Sequence, residues 1–317
     1  MRAQNGFDNS EVLMADSISL VRRRVNNPLL ASQDETMDSV VTLAAIEFGK
    51  GNTTIGSMHI EGVKKMVRMR GGIHSLKITS PLTARMVSWV SMILMQTPQF
   101  DVQDDLRLGD GIAAIPQWFH LQTISRDEIP CGFLNLELDP SISDVFLQLR
   151  HLFRVSHEHN LSTTDLHDLT CYILHKLLAW SPDESQPGHA NLIATSQSIR
   201  CAVALYMLII HGPTYFSHAH LQSSLVAELR RSIRSLLPMF AIENGPLALW
   251  VLIVGMAASQ DALTSGWFTA KATTVARGLE LRTWDDILQC MEGVVWYKTQ
   301  RGEEHFRQQW EEALSII

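Results

Sequence analysis

Apolar residues along this chain return at the three- and four-residue steps of an α-helix, and the two-residue alternation of a half-buried strand hardly occurs. A first helix is predicted over 11–26, after Asn9 and Ser10 and before Pro28. Ser32 and Glu35 have the spacing of a capping box, and behind them Met37, Val40, Val41, Ala44 and Phe48 fall on one helical face. Gly51 and Asn52 break that run. A third helix carries Ile55, His59, Val63, Met66 and Val67, and it closes at Gly71 and Gly72, where a residue with positive φ can end the last turn. Ser80 and Pro81 read as an N-cap followed by proline at the first helical position, leading into Leu82, Met86, Trp89, Ile93 and Leu94.

From 98 to 139 the pattern fails, and Asp-rich, Gly-rich and Pro-containing pieces alternate. A connection of that length inside a compact domain is unusual, so it reads as a surface segment dividing two helical lobes. Beyond it Ile142, Val145, Phe146, Leu149, Leu152 and Phe153 form one stripe, and Leu166, Leu169, Ile173, Leu174, Leu177 and Leu178 the next. Further helices are predicted near 191–211, 218–237, 247–259, 267–278, 284–298 and 303–314, with Thr283 and Asp286 capping the penultimate one. The expectation is an all-α fold, a multi-helix globular array in two lobes with no significant sheet. An N-terminal lobe spans 1–97, an irregular connection 98–139 and a C-terminal lobe 140–317.

Composition narrows the function classes. With 317 residues the chain can bury roughly 75% of its unfolded surface without a staple. It is 46% hydrophobic and 19% charged, unlike a disordered chain, and its net charge of −7 argues against binding a phosphate backbone. The four cysteines, Cys131, Cys171, Cys201 and Cys290, form no C-x-x-C pair and fit a reducing compartment. No apolar leader follows Met1, and the apolar run 247–258 is shorter than the roughly 20 residues of a membrane span, so it reads as a buried core helix.

Candidate chemistry is sparse. His167, Cys171 and His175 share one helix face and are zinc-ligand types, which is half of a metal site; the other reading places them as core and boundary residues flanking the leucine stripe. His157 and His159 around Glu158 are two apart rather than the four a zincin helix needs. Gly49, Gly51 and Gly56 follow a helix rather than a strand, and read as a helix–helix turn rather than a phosphate loop. No four-ligand set and no G-x-S-x-G elbow is visible, so neither a metal, a cofactor nor a catalytic residue is expected. The basic clusters Arg22–Arg24, Lys64, Lys65, Arg68 and Arg70, and Arg230, Arg231 and Arg234 each fall on a predicted amphipathic helix, where a solvated face is the default. Trp250, Trp267, Trp284, Trp296 and Trp310 crowd the last quarter, as fillers of helix interfaces or the lining of a ligand pocket.

The run Leu43-Ala-Ala-Ile-Glu-Phe-Gly, followed by Met58-His-Ile-Glu-Gly-Val-Lys-Lys-Met-Val-Arg-Met-Arg-Gly-Gly-Ile, resembles the fungal-specific transcription factor domain. The resemblance lies in His59, Gly62, Arg70, Gly71, Gly72 and Ile73. It extends more loosely through Trp250, Trp267, the Thr283-Trp284-Asp-Asp-Ile run and Trp310, over roughly 12–314. Members of that family usually carry an N-terminal binuclear zinc cluster and further helices before the one at 11–26. No cysteine precedes Cys131 here, which implies a truncated gene product or a short relative.

The resemblance implies the regulatory (effector, or middle homology) domain of a nuclear transcription factor. Such a domain would modulate RNA polymerase II transcription through protein partners, a DNA-bound factor or a sensed ligand, without autonomous DNA binding, catalysis or membrane association. The alternatives are a small-molecule-binding helical module not acting in transcription, with its pocket near the tryptophans, and a helical enzyme built on the His167, Cys171 and His175 face.

Overall fold

The structure, a computed structural model, describes the backbone of residues 2–104, 109–120, 137–155, 161–182, 190–214 and 216–315. It is all-α, and the sheet among the described residues is one parallel pair of two-residue strands. Two compact units result, Met1–Ala113 and Ala114–Ile317.

The first unit holds α1 (Arg2–Val25), α2 (Asp34–Gly49), α3 (Thr53–Met69), α4 (Gly72–Thr79), α5 (Pro81–Met95), β1 (Val102–Gln103) and β2 (Ile112–Ala113). Most of the apolar residues read from the sequence lie in its core, but Ile55 and Leu82 are exposed, and Ile60, Val87 and Met92 join it unread. Met37, Val40, Val41 and Ala44 of α2 meet Ile60, Val63 and Val67 of α3 and Val87, Trp89 and Met92 of α5, all buried. The α2–α3 turn runs through Gly51 at φ +83, and the ring of Phe48 lies against Gly56 where any Cβ would stand. The helix α4, not foreseen in the sequence pattern, packs on α5.

Two predicted caps fail. The capping box at Ser32 does not form: α2 begins after Gln33, and Thr36 donates instead to the carbonyl of Leu30 at 2.8 Å. Ser80 stands before Pro81 but does not cap α5; its hydroxyl donates to Asp34 at 2.6 Å. Long-range partners take the Ser80 hydroxyl and the Ser32 carbonyl. Within 98–139, read as irregular, the structure places β1, β2 and α6 (Pro116–His120), with Val102 opposite Ile112 and Gln103 opposite Ala113. Residues 105–108 and 121–136, Cys131 among them, lie outside the described residues, as do His157, Glu158 and His159.

The second unit adds α7 (Pro140–Val155), α8 (Thr163–Ala179), α9 (Ala190–His211), α10 (Ala219–Glu243), α11 (Gly245–Ala258), α12 (Ala262–Gly278), α13 (Trp284–Val294) and α14 (Gln300–Ser315). Its centre is α11, buried from Leu247 to Ala258 and packed against α9, α10, α12, α13 and α14. That is why its residues are apolar all round rather than on one stripe. By length and composition α9 could cross a membrane, but most of it is buried against α7, α8, α10 and α11.

Four helix limits differ by four residues or more from the sequence reading: α1 begins at Arg2 rather than at 11, and three others lie in the second unit. Helix α10 continues through Pro238 to Glu243 rather than stopping at 237. Helix α12 begins at Ala262, where Asp261 accepts from the Thr264 amide at 2.8 Å, rather than at 267. Helix α13 stops at Val294, Val295 is extended and 295–299 has no regular secondary structure; its predicted Thr283 and Asp286 capping box is present.

Candidate functional site

The motif residues of the first unit converge on one junction. Arg70 follows the last turn of α3, and one guanidinium nitrogen donates to the Ser32 carbonyl at 3.0 Å and to Asp34 Oδ1 at 2.8 Å. The other donates to Thr79 Oγ1 at 3.0 Å and Ser80 Oγ at 3.1 Å. Ser80 in turn donates to Asp34 Oδ2, so the carboxylate is held on both oxygens. These bonds, that from Ser80 first, hold the Asp34 carboxyl below its ordinary pKa. One side chain thus fastens the start of α2, the end of α4 and the start of α5 to the end of α3.

The sharp turn that delivers Arg70 needs both glycines. Gly71 sits at φ +84 and Gly72 at φ +94, a region costly to residues with a Cβ. At Gly72 a Cβ would also run into the carboxylate of Asp110, which accepts from the His74 amide at 3.2 Å. His59 is half-buried on α3, and the space beside Gly62 is open, so neither joins the junction.

In the second unit Trp250 is fully buried, and its indole N–H donates to the Val295 carbonyl at 2.8 Å. The strap 295–299 and the end of α13 before it are fixed from three further sides. Tyr206 accepts from the Tyr297 amide at 2.8 Å, Arg150 donates to the carbonyls of Gly293 and Val294 at 2.9 Å each, and the Tyr297 hydroxyl accepts from the Leu161 amide at 3.0 Å. Around it Phe153, Tyr206, Trp250, Trp296 and Phe306 form one aromatic cluster, with ring centroids 5.4–6.4 Å apart in its contacting pairs. Trp267 lies edge-on to Phe268 at 4.9 Å with Arg230 over its ring, and Trp284 carries Arg307 over its face. Trp310, buried at the surface of α14, walls a cleft of about 480 Å³ beside the end of α12.

The His167, Cys171 and His175 face points inward. His175 is fully buried, its Nδ1 lies 2.8 Å from the Cys171 carbonyl, and burial pushes its pKa down to about 4. His167 Nδ1 meets His211 Nε2 at 2.9 Å. His211 Nδ1 lies 2.6 Å from the Gly212 carbonyl, and the shortness of that contact assigns the proton to Nδ1, leaving Nε2 to accept from His167. Among the described residues no group of three His, Cys, Asp or Glu could hold a metal ion. Burial pushes the Cys201 thiol up to about 12 and the Cys290 thiol up to about 11, which leaves both protonated at neutral pH and poor nucleophiles.

Several cations from the basic clusters serve the fold. Arg24 donates to Thr36 at 2.9 Å and Gln33 at 3.0 Å, Lys64 pairs with Glu61 at 2.8 Å, and Arg230 covers Trp267. Sequence reasoning missed Arg150, Tyr206, Tyr297 and the half-buried pair of Arg200 with Glu228 at 2.6 Å. The available signal was an arginine inside an apolar helix: Arg150 adjoins the stripe of α7, and Arg200 sits among Ile199, Cys201 and Ala202.

No family model matches the chain, and neither a curated protein nor a solved structure does.

Proposed function

We propose that this chain is the regulatory domain of a transcription factor of the fungal zinc-cluster class, acting through protein partners or a sensed ligand without reading DNA itself. The observation that carries this reading is the Arg70 junction. Arg70, Gly71 and Gly72, the most characteristic residues of the sequence resemblance, act together as the fastening of the first unit. A motif with that architectural role is what a shared helical scaffold requires. The absence of autonomous DNA binding in this reading is supported by the net charge of −7 and by the engagement of Arg24, Lys64 and Arg70 within the fold. The reading places the chain in the nucleus. A second reading, a small-molecule-binding helical module not acting in transcription, is favoured by one observation, the cleft beside Trp310.

Fusing the full chain to an unrelated DNA-binding domain in a fungal nucleus tests the first reading. A change in reporter output in either direction is expected. A fusion that is folded, nuclear and inert would remove its support, and selection of an enriched motif from random duplexes by the unfused chain would show a DNA-reading surface.

A further inference from the structure

The cleft of about 480 Å³ owes its shape to the way α12 ends. Leu279 caps the helix, and Glu280 adopts φ +60, a left-handed conformation carried here by a non-glycine residue. The Leu281 amide then bonds back to the Ala276 carbonyl at 3.0 Å, and the chain turns away to the Thr283 cap of α13. This leaves a recess with Ala276 and the Trp310 indole on its apolar side and Arg277, Glu280 and Arg282 on its charged side.

The recess brings two arginines together. Arg24, Arg70, Arg200 and Arg307 are each committed to a carboxylate within the fold. Arg277 and Arg282 are exposed, and among the described residues neither guanidinium makes an ion pair or a hydrogen bond. A cation in the last turn of a helix offsets the partial negative charge there, which accounts for Arg277. Arg282 lies beyond the helix, where its charge helps to lower the Asp286 carboxyl, and it lines the same recess. With Glu280 the walls carry two positive charges and one negative, a net charge that favours a monoanion.

We propose that this cleft binds a small organic monoanion, a carboxylate on a flat apolar body of one or two rings. The carboxylate is held by the guanidinium forks of Arg277 and Arg282, which match its planar geometry, and the body lies against Trp310 and Ala276. The volume falls within the roughly 300–1,000 Å³ of small-molecule sites. The inference goes beyond the regulatory reading and concerns ligand binding alone, so it holds or fails separately from the reporter experiment.

The test is calorimetric titration of the full chain with 2-naphthoate, and with 2-naphthalenemethanol as its neutral counterpart. One-to-one saturable binding of the carboxylate, at least roughly tenfold tighter than the alcohol, is expected. The R277Q/R282Q double variant, whose changed side chains are exposed, is expected to melt as the parent does and to bind the carboxylate at least roughly tenfold more weakly. No saturable binding, equal affinity for the acid and the alcohol, or parental affinity in a folded double variant would each overturn the proposal.

Discussion

The indole N–H of Trp250, at the centre of α11, donates across 2.8 Å to the carbonyl of Val295, the residue at which α13 gives way to extended chain. A fully buried carbonyl just past a helix end has no partner in the helix, and here a tryptophan supplies one. Trp250→Phe keeps most of the ring volume and deletes the donor. The expected loss is about 1–3 kcal/mol, the cost of leaving a buried acceptor unpaired, read from urea unfolding. Trp250→Ala also opens a cavity and is expected to cost roughly 3–5 kcal/mol. A Phe variant as stable as the parent would show that the bond does not hold the strap.

Arg70 and Asp34 give a second prediction. Their side chains are 25% and 40% exposed, so solvent screens the pair and the charge attraction must be discounted. The single charged bond to Asp34 Oδ1 and the Ser80 bond to Oδ2 work the other way. A double-mutant cycle with Arg70→Met and Asp34→Asn is expected to give a coupling of about 1 kcal/mol. The depressed carboxyl of Asp34 adds its own sign check: its contribution is full above the unfolded pKa near 3.8 and is lost as pH falls below it. Coupling indistinguishable from zero at neutral pH would show that the junction is held by packing alone.

At Gly72, φ +94 and the Asp110 carboxylate act together. Gly72→Val is expected to lower stability by about 1–3 kcal/mol from backbone strain, and further because Asp110 must move off the His74 amide. Gly71 shares the positive φ but is exposed, and the nearest obstacle to a Cβ there is the Ser75 hydroxyl at 3.2 Å. Gly71→Asn is therefore expected to cost less than Gly72→Asn, since asparagine tolerates the left-handed region. Equal melting of the two asparagine variants would count against the role given to Asp110.

What the sequence reveals and what it hides divide along the distance over which each feature is decided. The stripes of α2, α7 and α8 are local periodicities, and their residues are buried except Phe48, Leu166 and Leu178, which are half-buried. The Thr283 box is local and forms. The Ser32 box is equally good locally and does not form: α2 starts one residue later, with Gln33 as its N-cap, and the Ser32 carbonyl is bonded by Arg70, 38 residues away. Val294, Val295, Trp296 and Tyr297 continue an apolar run, so nothing local marks the end of α13; Trp250, Tyr206 and Arg150, all distant in sequence, hold the strap. Pro238 suggests a stop, yet Phe240 continues the core face of α10 and is buried. The tryptophans were legible as interface residues. The cleft was not, since it depends on a left-handed turn at Glu280 that no glycine announces.

The buried histidines predict how stability depends on pH. Burial pushes His175 down to about 4, against its hydrogen bond to the Cys171 carbonyl. Burial pushes His211 down to about 4 as well; the bond to the Gly212 carbonyl opposes this, and His218 and Arg301 nearby add to it. His218 is lowered by burial in turn. Each is neutral in the fold at a pH where the unfolded chain, with imidazoles near 6.5, already takes up protons. The unfolded state therefore binds more protons between these values, and stability rises with pH across that window. It is full above the unfolded value near 6.5 and declines as pH falls towards 4. Fully buried His175 alone can account for about 3 kcal/mol of that decline, at 1.36 kcal/mol per pKa unit. The depressed carboxyls of Asp34 and Asp139 act below this range, so they do not counterfeit the effect. Urea midpoints measured from about pH 7 to about pH 4.5 are expected to fall steadily. In a folded His175→Leu variant the slope is expected to be shallower, because one proton-linked site is gone. A midpoint independent of pH over that range would mean that these histidines are not held neutral inside the fold.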